Sequence, residues 1–180
     1  EIRTPVAATS VRGTRFNVQV TEQGSSSAVD QGRVALQGNT DRASTVLPPG
    51  FGAAVDASGQ ASPPVPRLPA IATDRLPSTV TDAQWLALAL PAVAQASAYQ
   101  VQVSRDSAAE QVLRNGRFAT PQVRFASLPD GDYWLHVQAQ DALGISGHRA
   151  HAPLRVKAHP VAPLAASPAP QDWPCRMVRF

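Results

Sequence analysis

The most regular pattern in the chain is an alternation of apolar and polar residues from Tyr133 to Gln140. The turn sequence Pro129-Asp130-Gly131 precedes it, and the glycine-containing segment 141–147 follows it. Alternation with a period of two predicts an antiparallel strand that buries one face. The apolar side consists of Tyr133, Leu135, Val137 and Ala139, and the polar side of Trp134, His136, Gln138 and Gln140. A half-buried strand between two turns predicts a β-sandwich.

Shorter alternations predict strands in the first third of the chain. Residues 14–21 predict a strand whose buried face carries Phe16, Val18 and Val20. A turn is predicted over residues 23–27, and further strands are predicted over 28–37, 45–47 and 51–56. The expected structure is a set of short strands at close spacing.

A second group of predicted strands begins near Leu76. Trp85 lies in the apolar run QWLALAL, which suits a central strand, and an alternating segment starts at Tyr99. Further strands are predicted over residues 110–114, 123–125, 133–140 and 152–156, with a short helix over 108–113 as the weaker alternative. About seven strands with turns at intervals of roughly 8 to 12 residues predict an immunoglobulin-like sandwich.

Composition separates these two groups of strands. With 17 Pro and 11 Gly among 180 residues, the chain is unsuited to long helices, and an all-β fold is expected. The proline-rich segment 62–72 is expected to be an extended, semi-rigid linker between domains at residues 1–61 and 73–158. Residues 159–180 are interpreted either as the start of a second sandwich or as a disordered tail rich in Pro and Ala.

Charge and cysteine content exclude several classes of function. The formal net charge is +3, and the basic residues are scattered, so nucleic-acid binding is not expected. Cys175 is the only cysteine, which excludes an internal disulfide and a cysteine-based metal site. No apolar run approaches the ~18 residues of a membrane span. Because the chain begins without a Met or a signal peptide, we expect it to be a fragment of a longer protein.

Residues 1–61 carry the motifs of a known family. Its successive segments are matched by Thr4-Pro5, Val11-Arg12-Gly13-Thr14, Phe16 and Val18, then Gly32, Val34 and Leu36, then TVLPPGFGAAVDASG. In this order they resemble the second half of a FecR domain, the periplasmic module of bacterial iron-citrate-type sensor-regulators. Gln31 departs from the family pattern, in which an acidic residue is usual, and the first half of the domain is missing upstream of Glu1. The resemblance implies a partial, open β-roll that relays signals or acts as a scaffold.

Residues 73–158 resemble a second family. Trp85, Tyr99 and the sequence LPDGDY from Leu128 to Tyr133 are similar to fibronectin type III and related immunoglobulin-like domains. The resemblance implies that Trp85 and Tyr99 meet in the core, and that Leu128 and Tyr133 form a corner. The combined pattern also resembles the modules that follow FecR domains in LysM-containing envelope proteins. These motifs specify a fold and no binding site.

No residue pattern predicts catalysis. The chain lacks a GxSxG elbow, a phosphate-binding loop and an HExxH motif. His148, His151 and His159 have spacings that do not favour a metal site outside a helix. The aspartates in the two turns around residues 133–140 lie at opposite ends of a strand, so they suit turn formation better than calcium binding. We therefore expect no catalytic residue, no metal and no cofactor.

The candidate binding surface is the polar side of the strand at 133–140. Trp134 is an aromatic side chain among amides, which suits a sugar or a protein partner, although it equally suits packing over the sheet or against the first domain. His136 is expected to be solvated. The complete predicted face consists of Trp134, His136, Gln138, Gln140, Gln100 and Gln102.

The resemblance to FecR domains implies a non-enzymatic regulator or scaffold in the periplasm. The expected partner is an outer-membrane receptor, an anti-sigma-type regulator or peptidoglycan, and a dimer through the open edge of the roll is a further expectation. One alternative is a carbohydrate- or peptidoglycan-binding accessory module that uses the Trp134 face. The other is an enzyme whose active site lies in further residues of the native protein.

Overall fold

The computed structural model describes residues 2–3, 7–11, 14–21, 24–38, 44–82 and 84–157. Over these residues the chain forms β-strands and one 3-10 turn, Thr73–Arg75, with no α-helix, which confirms the all-β fold class. The strands are β1 (Ile2–Arg3), β2 (Ala7–Val11), β3 (Arg15–Thr21), β4 (Gly24–Gln31), β5 (Val34–Gly38), β6 (Ser44–Leu47), β7 (Phe51–Asp56), β8 (Val65–Pro66), β9 (Thr79–Val80), β10 (Trp85–Ala89), β11 (Ala98–Ser104), β12 (Val112–Phe118), β13 (Gln122–Ala126), β14 (Gly131–Gln140) and β15 (Ala150–Val156). The predicted tail, 159–180, lies outside the described residues.

Strands β1–β8 form what we call the N-terminal module, in which the chain visits two antiparallel sheets alternately. One sheet has the order β1-β2-β5-β6 and the other the order β3-β4-β7-β8. Apolar side chains from both sheets meet in a small core. They are Val29, Val34, Leu36, Leu47, Ala53 and Val55. Among the described strands, both sheets end in strands with a neighbour on one side only, such as β3 and β6, and a dimer through such an edge stays a prediction.

Two predicted elements of the N-terminal module are wrong. The single return strand over 28–37 is instead the two strands β4 and β5, which lie in different sheets and are separated at Gly32, a residue with a φ of 80°. Residues 24–27, predicted as part of a turn, begin β4 and are buried. Their polar side chains are typical of a turn, but here they are buried against a distant part of the chain. Ser26 Oγ, for example, donates to the carbonyl of Gly144, 2.8 Å away.

Strand β3 lies where it was expected but has no buried face. Phe16 and Val18 are half-buried, and 55% of Val20 is exposed. Because β3 ends its sheet and pairs with β4 alone, the alternation in its sequence does not secure burial. The strands predicted at 45–47 and 51–56 are confirmed as β6 and β7.

Strands β9–β15 form the C-terminal module, a sandwich of two sheets. The small sheet pairs β10 with β13, and the large sheet has the order β12-β11-β14-β15-β9. Leu86 and Leu88 of the small sheet share one core with Val101, Leu135 and Leu154 of the large sheet. The seven predicted strands are therefore present, although the one predicted at 110–114 is β12, and residues 108–113 form no helix.

Trp85 does not meet Tyr99 in the core, contrary to the expectation. Leu86 and Leu88 occupy the inward positions of β10, so the alternation of the strand places Trp85 on the outer face. There the guanidinium of Arg124 lies 4.0 Å from the centroid of the indole ring. Tyr99 is buried, and its hydroxyl accepts a hydrogen bond from the backbone N–H of Val93 at 2.9 Å.

The predicted corner at Leu128 and Tyr133 is confirmed. Both side chains are buried, and the Tyr133 hydroxyl donates to the carbonyl of Pro129 at 2.9 Å. Tyr133→Phe removes this bond while keeping the ring, so we expect the free energy of unfolding to fall by about 1 kcal/mol in urea denaturation. An unchanged value would show that water replaces the hydroxyl at no cost.

The segment 62–72, which we call the connector, is built into both modules and does not form a separate spacer. Its first part contains β8, which pairs with β7. The backbone N–H of Arg67 then donates to the carbonyl of Gly50, and the carbonyl of Leu68 accepts from the N–H of His148. Leu68 and Ile71 lie in the core of the C-terminal module. The connector therefore leaves the N-terminal module and enters the C-terminal module within a few residues.

Candidate functional site at the junction of the modules

Arg67 is the central residue of the junction. Its side chain is 0% exposed. Nε donates to the carbonyl of Ser146 at 2.8 Å, Nη2 donates to that of Gly147 at 2.6 Å, and Nη1 donates to that of Val29 at 3.2 Å. Nη1 also contacts the carboxylate of Asp30. One guanidinium therefore joins β4 to the loop between β14 and β15.

The junction is packed tightly enough to require a glycine. Gly52 of β7 is buried, and a Cβ atom there would lie 2.4 Å from Cγ2 of Ile145 and 2.8 Å from the carbonyl oxygen of Ser27. Ile145, from the loop between β14 and β15, is itself buried. The two modules are thus in direct contact at this point.

A row of amides continues the junction along β14. Gln138 Nε2 donates to the carbonyl of Gly147 at 3.1 Å. Gln140 Nε2 donates to Gln19 Oε1 at 2.7 Å, and Gln140 Oε1 accepts from Arg117 Nε at 2.8 Å. Gln138 and Gln140 were expected on an exposed face, but both are buried, because the N-terminal module and the loop after β14 cover this end of the strand.

His136 is also buried, with 2% of the residue exposed, so its expected solvation is wrong. Its Nε2 lies 2.8 Å from Ser104 Oγ, and its ring stacks on that of His151 with centroids 5.8 Å apart. The Ser104 hydroxyl donates its hydrogen to the carbonyl of Asp106 at 2.6 Å, so His136 Nε2 is the donor towards Ser104. This buried pair is not arranged as a nucleophile and its base.

Burial lowers the pKa of His136 below its usual value of 6.5, and the nearby Arg149 and His151 act in the same direction. The backbone and the charge of Asp106 oppose this shift in part. The folded state therefore favours the neutral imidazole, and between the lowered pKa and about 6.5 the unfolded state binds more protons.

We expect the free energy of unfolding to fall as the pH is lowered through about 6.5. Urea denaturation at pH 7.5 and pH 5.5 measures this dependence. His136→Gln should flatten it, whereas His148→Gln, at an exposed position, should leave it in place. Equal pH dependences in the wild type and His136→Gln would contradict the assignment.

The rest of the predicted binding face is partly open. Trp134 is half-buried, and its ring lies 5.7 Å from that of the exposed His151. Gln100 and Gln102 of β11 are also half-buried, and Gln100 Nε2 donates to Asn115 Oδ1 at 2.5 Å. The six predicted residues therefore divide equally into a buried set and a partly exposed set. The buried residues are His136, Gln138 and Gln140, and the partly exposed residues are Trp134, Gln100 and Gln102.

A cleft of about 490 Å³ lies beside the amide row, between the two modules. Gln19, Ser26 and Asp56 line it from the N-terminal module, while Arg117 and residues 142–144 line it from the C-terminal module. This cleft is not predictable from local patterns in the sequence, because its walls come from distant parts of the chain. Ser26 and Gly144, which join the walls, are 118 positions apart. No local pattern in the sequence signals such a pairing.

Asp56 supplies a carboxylate to this cleft. Its Oδ1 accepts from the N–H and the hydroxyl of Ser58, at 2.9 and 2.6 Å, and from the N–H of Gln60 at 3.0 Å. The hydrogen bond from the Ser58 hydroxyl is the main cause that holds the pKa of Asp56 below its usual 3.8. The carboxylate is therefore ionised at neutral pH.

The structure also bears on metal binding and membrane insertion. Among the described residues, no three His, Cys, Asp or Glu side chains come together as a possible metal site. Asp141 Oδ1 instead accepts from the N–H groups of Leu143 and Ile145, both at 2.9 Å, which forms a turn. No helix in the same part of the chain has the length and apolar character needed to cross a membrane.

No family model and no curated protein matches the chain. Among solved structures, it is similar to the crystal structure of FN3tt, with 15% identity and a TM-score of 0.40 over 50% of this chain and 96% of that one. It is also similar to fibronectin(III)-like modules of CbhA from Clostridium thermocellum, with 18% identity and a TM-score of 0.34 over 47% of this chain and 95% of that one. The strand order of the C-terminal module and the bond from Tyr133 to Pro129 assign this module to the fibronectin type III-like fold.

Proposed function

We propose that this chain is a non-enzymatic pair of modules from a bacterial cell-envelope protein, which acts as a regulator or scaffold through protein contacts. The observation that carries the proposal is the buried Arg67, whose hydrogen bonds hold the two modules in a fixed arrangement. A relay or a scaffold requires such an arrangement, because a displacement or load on one module must reach the other.

The periplasmic setting of this proposal is supported by the FecR-like motifs of the N-terminal module. Val34 and Leu36, which match the second motif, lie in the core of that module. The non-enzymatic role is supported by the arrangement of Ser104 and His136. Both side chains are buried, and the Ser104 hydroxyl donates its hydrogen to the carbonyl of Asp106 and not to His136.

The experiment is a pull-down from envelope extract with the purified chain, with isolated peptidoglycan sacculi tested in parallel. Recovery of an outer-membrane receptor or an anti-sigma-type regulator, identified by mass spectrometry, would support signal relay. Retention on sacculi alone would support a wall-associated scaffold. Arg67→Ala should weaken either interaction, whereas Arg33→Ala, at an exposed turn residue, should not. Recovery of neither class of partner would overturn the proposal.

A second candidate function is carbohydrate or peptidoglycan binding through Trp134. It is favoured by the partly exposed indole ring of Trp134 beside the exposed His151 on neighbouring strands. Binding of soluble peptidoglycan fragments should change the tryptophan fluorescence, and Trp134→Ala should abolish both the change and the binding. Trp85→Ala, on the other sheet, is the matched control. A fluorescence change that persists in Trp134→Ala would exclude this site.

A further inference from the structure

The cleft between the modules contains opposite charges that do not neutralise each other. Arg117 and Asp56 both line it. In the described part of the chain, the ion pairs are Arg67 with Asp30 and Arg155 with Asp132, so neither charge of the cleft forms an ion pair with a described side chain of opposite charge. A positive and a negative group thus remain available within one concave site.

Arg117 is oriented by the amide row. Its Nε donates to Gln140 Oε1, which is held in turn through Gln19. Its two Nη nitrogens make no hydrogen bond with any residue that the structure describes. A guanidinium whose Nη edge is free presents two parallel N–H donors, which match the two oxygens of a carboxylate. The cleft therefore has a preoriented group for an anionic ligand end.

Asp56 has the complementary arrangement. The hydrogen bonds that it accepts from Ser58 and Gln60 go to Oδ1. Oδ2 is the acceptor in none of these three bonds. Because the turn fixes the carboxylate through one oxygen, the other oxygen is free to accept N–H bonds from an ammonium group.

The surface between these charges is made of amides and small apolar groups. Gln19 and Gln60 contribute amides, while Ala54, Ala61 and Leu143 contribute apolar atoms. Half of Leu143 is exposed, so a ligand in the cleft would bury apolar surface there. None of the described residues that line the cleft is aromatic, which makes a sugar ring a poorer match than a peptide.

We propose that this cleft binds a short peptide with free ends, whose carboxylate is held by Arg117 and whose ammonium group is held by Asp56. The amides of Gln19 and Gln60 would bond its peptide groups, and small side chains would lie against Leu143. The cleft volume of about 490 Å³ falls within the range of about 300–1,000 Å³ that is typical of small-molecule sites. This inference does not depend on the proposed envelope function.

The test is calorimetric titration of the chain with trialanine, N-acetyl-trialanine and trialanine amide. We expect trialanine to bind at least tenfold more tightly than either blocked peptide, because each block removes one charged contact. Arg117→Gln should abolish the preference for a free carboxylate and keep the preference for a free ammonium group. Asp56→Asn, which retains an oxygen for the turn, should do the reverse. Arg33→Gln, outside the cleft, is the matched control and should keep both preferences.

Equal affinities for the three peptides, or no binding of trialanine at millimolar concentration, would overturn the proposal. The comparison of peptides uses the unaltered chain, so it decides the question even if a variant does not fold. Amide chemical shifts locate the bound peptide independently. Shifts at residues 142–144 are expected, and shifts confined to the Trp134 face would also overturn the proposal.

Discussion

Replacing Arg67 with alanine is expected to lower the free energy of unfolding by about 3 kcal/mol. The substitution leaves the buried carbonyls of Val29, Ser146 and Gly147 without this donor. The side chain of Asp30 is 38% exposed and recovers part of its hydration, which places the loss at the lower end of the range for a broken buried pair. Urea denaturation followed by circular dichroism measures the loss, and small-angle scattering should show the modules moving apart.

Arg155→Ala is the matched control for this experiment. Arg155 bonds Asp132 at 2.6 Å, but the two side chains are 56% and 73% exposed, and a pair in water contributes only about 0–1 kcal/mol. If the two variants lost equal stability, Arg67 would not be the residue that holds the junction together.

Replacing Leu135 with alanine is expected to lower the free energy of unfolding of the C-terminal module by about 3–4 kcal/mol. Leu135 is completely buried at the centre of β14, between Val103 of β11 and Ala152 of β15. The substitution removes buried methyl groups and leaves a cavity in the sandwich. The fluorescence of Trp85 and Trp134, which both belong to this module, reports its unfolding in urea.

Leu143→Ala is the control for Leu135→Ala. Leu143 lies on an exposed loop and half of it is in contact with solvent, so its loss should change stability by less than about 0.5 kcal/mol. A loss below about 1 kcal/mol for Leu135→Ala would mean that the core of the sandwich is not packed as described.

The sequence predicted the strands and the inward face of the C-terminal module well. Tyr133, Leu135, Val137 and Ala139 are all buried in its core, as their alternation indicates. Periodicity succeeds here because β14 has neighbours on both sides, and the small sheet covers its face. At β3 the same alternation did not predict burial correctly, because β3 lies at the end of its sheet and its apolar side chains are only partly covered.

The junction was beyond prediction from local patterns. Arg67 lies in a proline-rich segment whose composition indicates a solvated linker, yet its partners are about 38 and 80 positions away in the chain. Gln138 and Gln140 alternate with the apolar residues of β14, which predicts an exposed face, but the N-terminal module and the loop after β14 cover them. Burial by another module depends on how two surfaces pack together, and the sequence of a single strand does not predict that contact.

The parallel pairing of β9 with β15 has a mechanical consequence. The loop after β14 contacts the N-terminal module. Val156, at the end of β15, pairs with Gly131 at the start of β14, so it lies at the end of the C-terminal module that faces away from the N-terminal module. There the backbone N–H groups of Arg155 and Lys157 donate to the carbonyls of Ser78 and Val80, both at 2.8 Å. Tension applied between the N-terminal module and the chain after Val156 would stretch both bonds together in shear. Strands arranged in this way must slide past each other as a unit and do not unzip one bond at a time, so the module is oriented to bear load along its length.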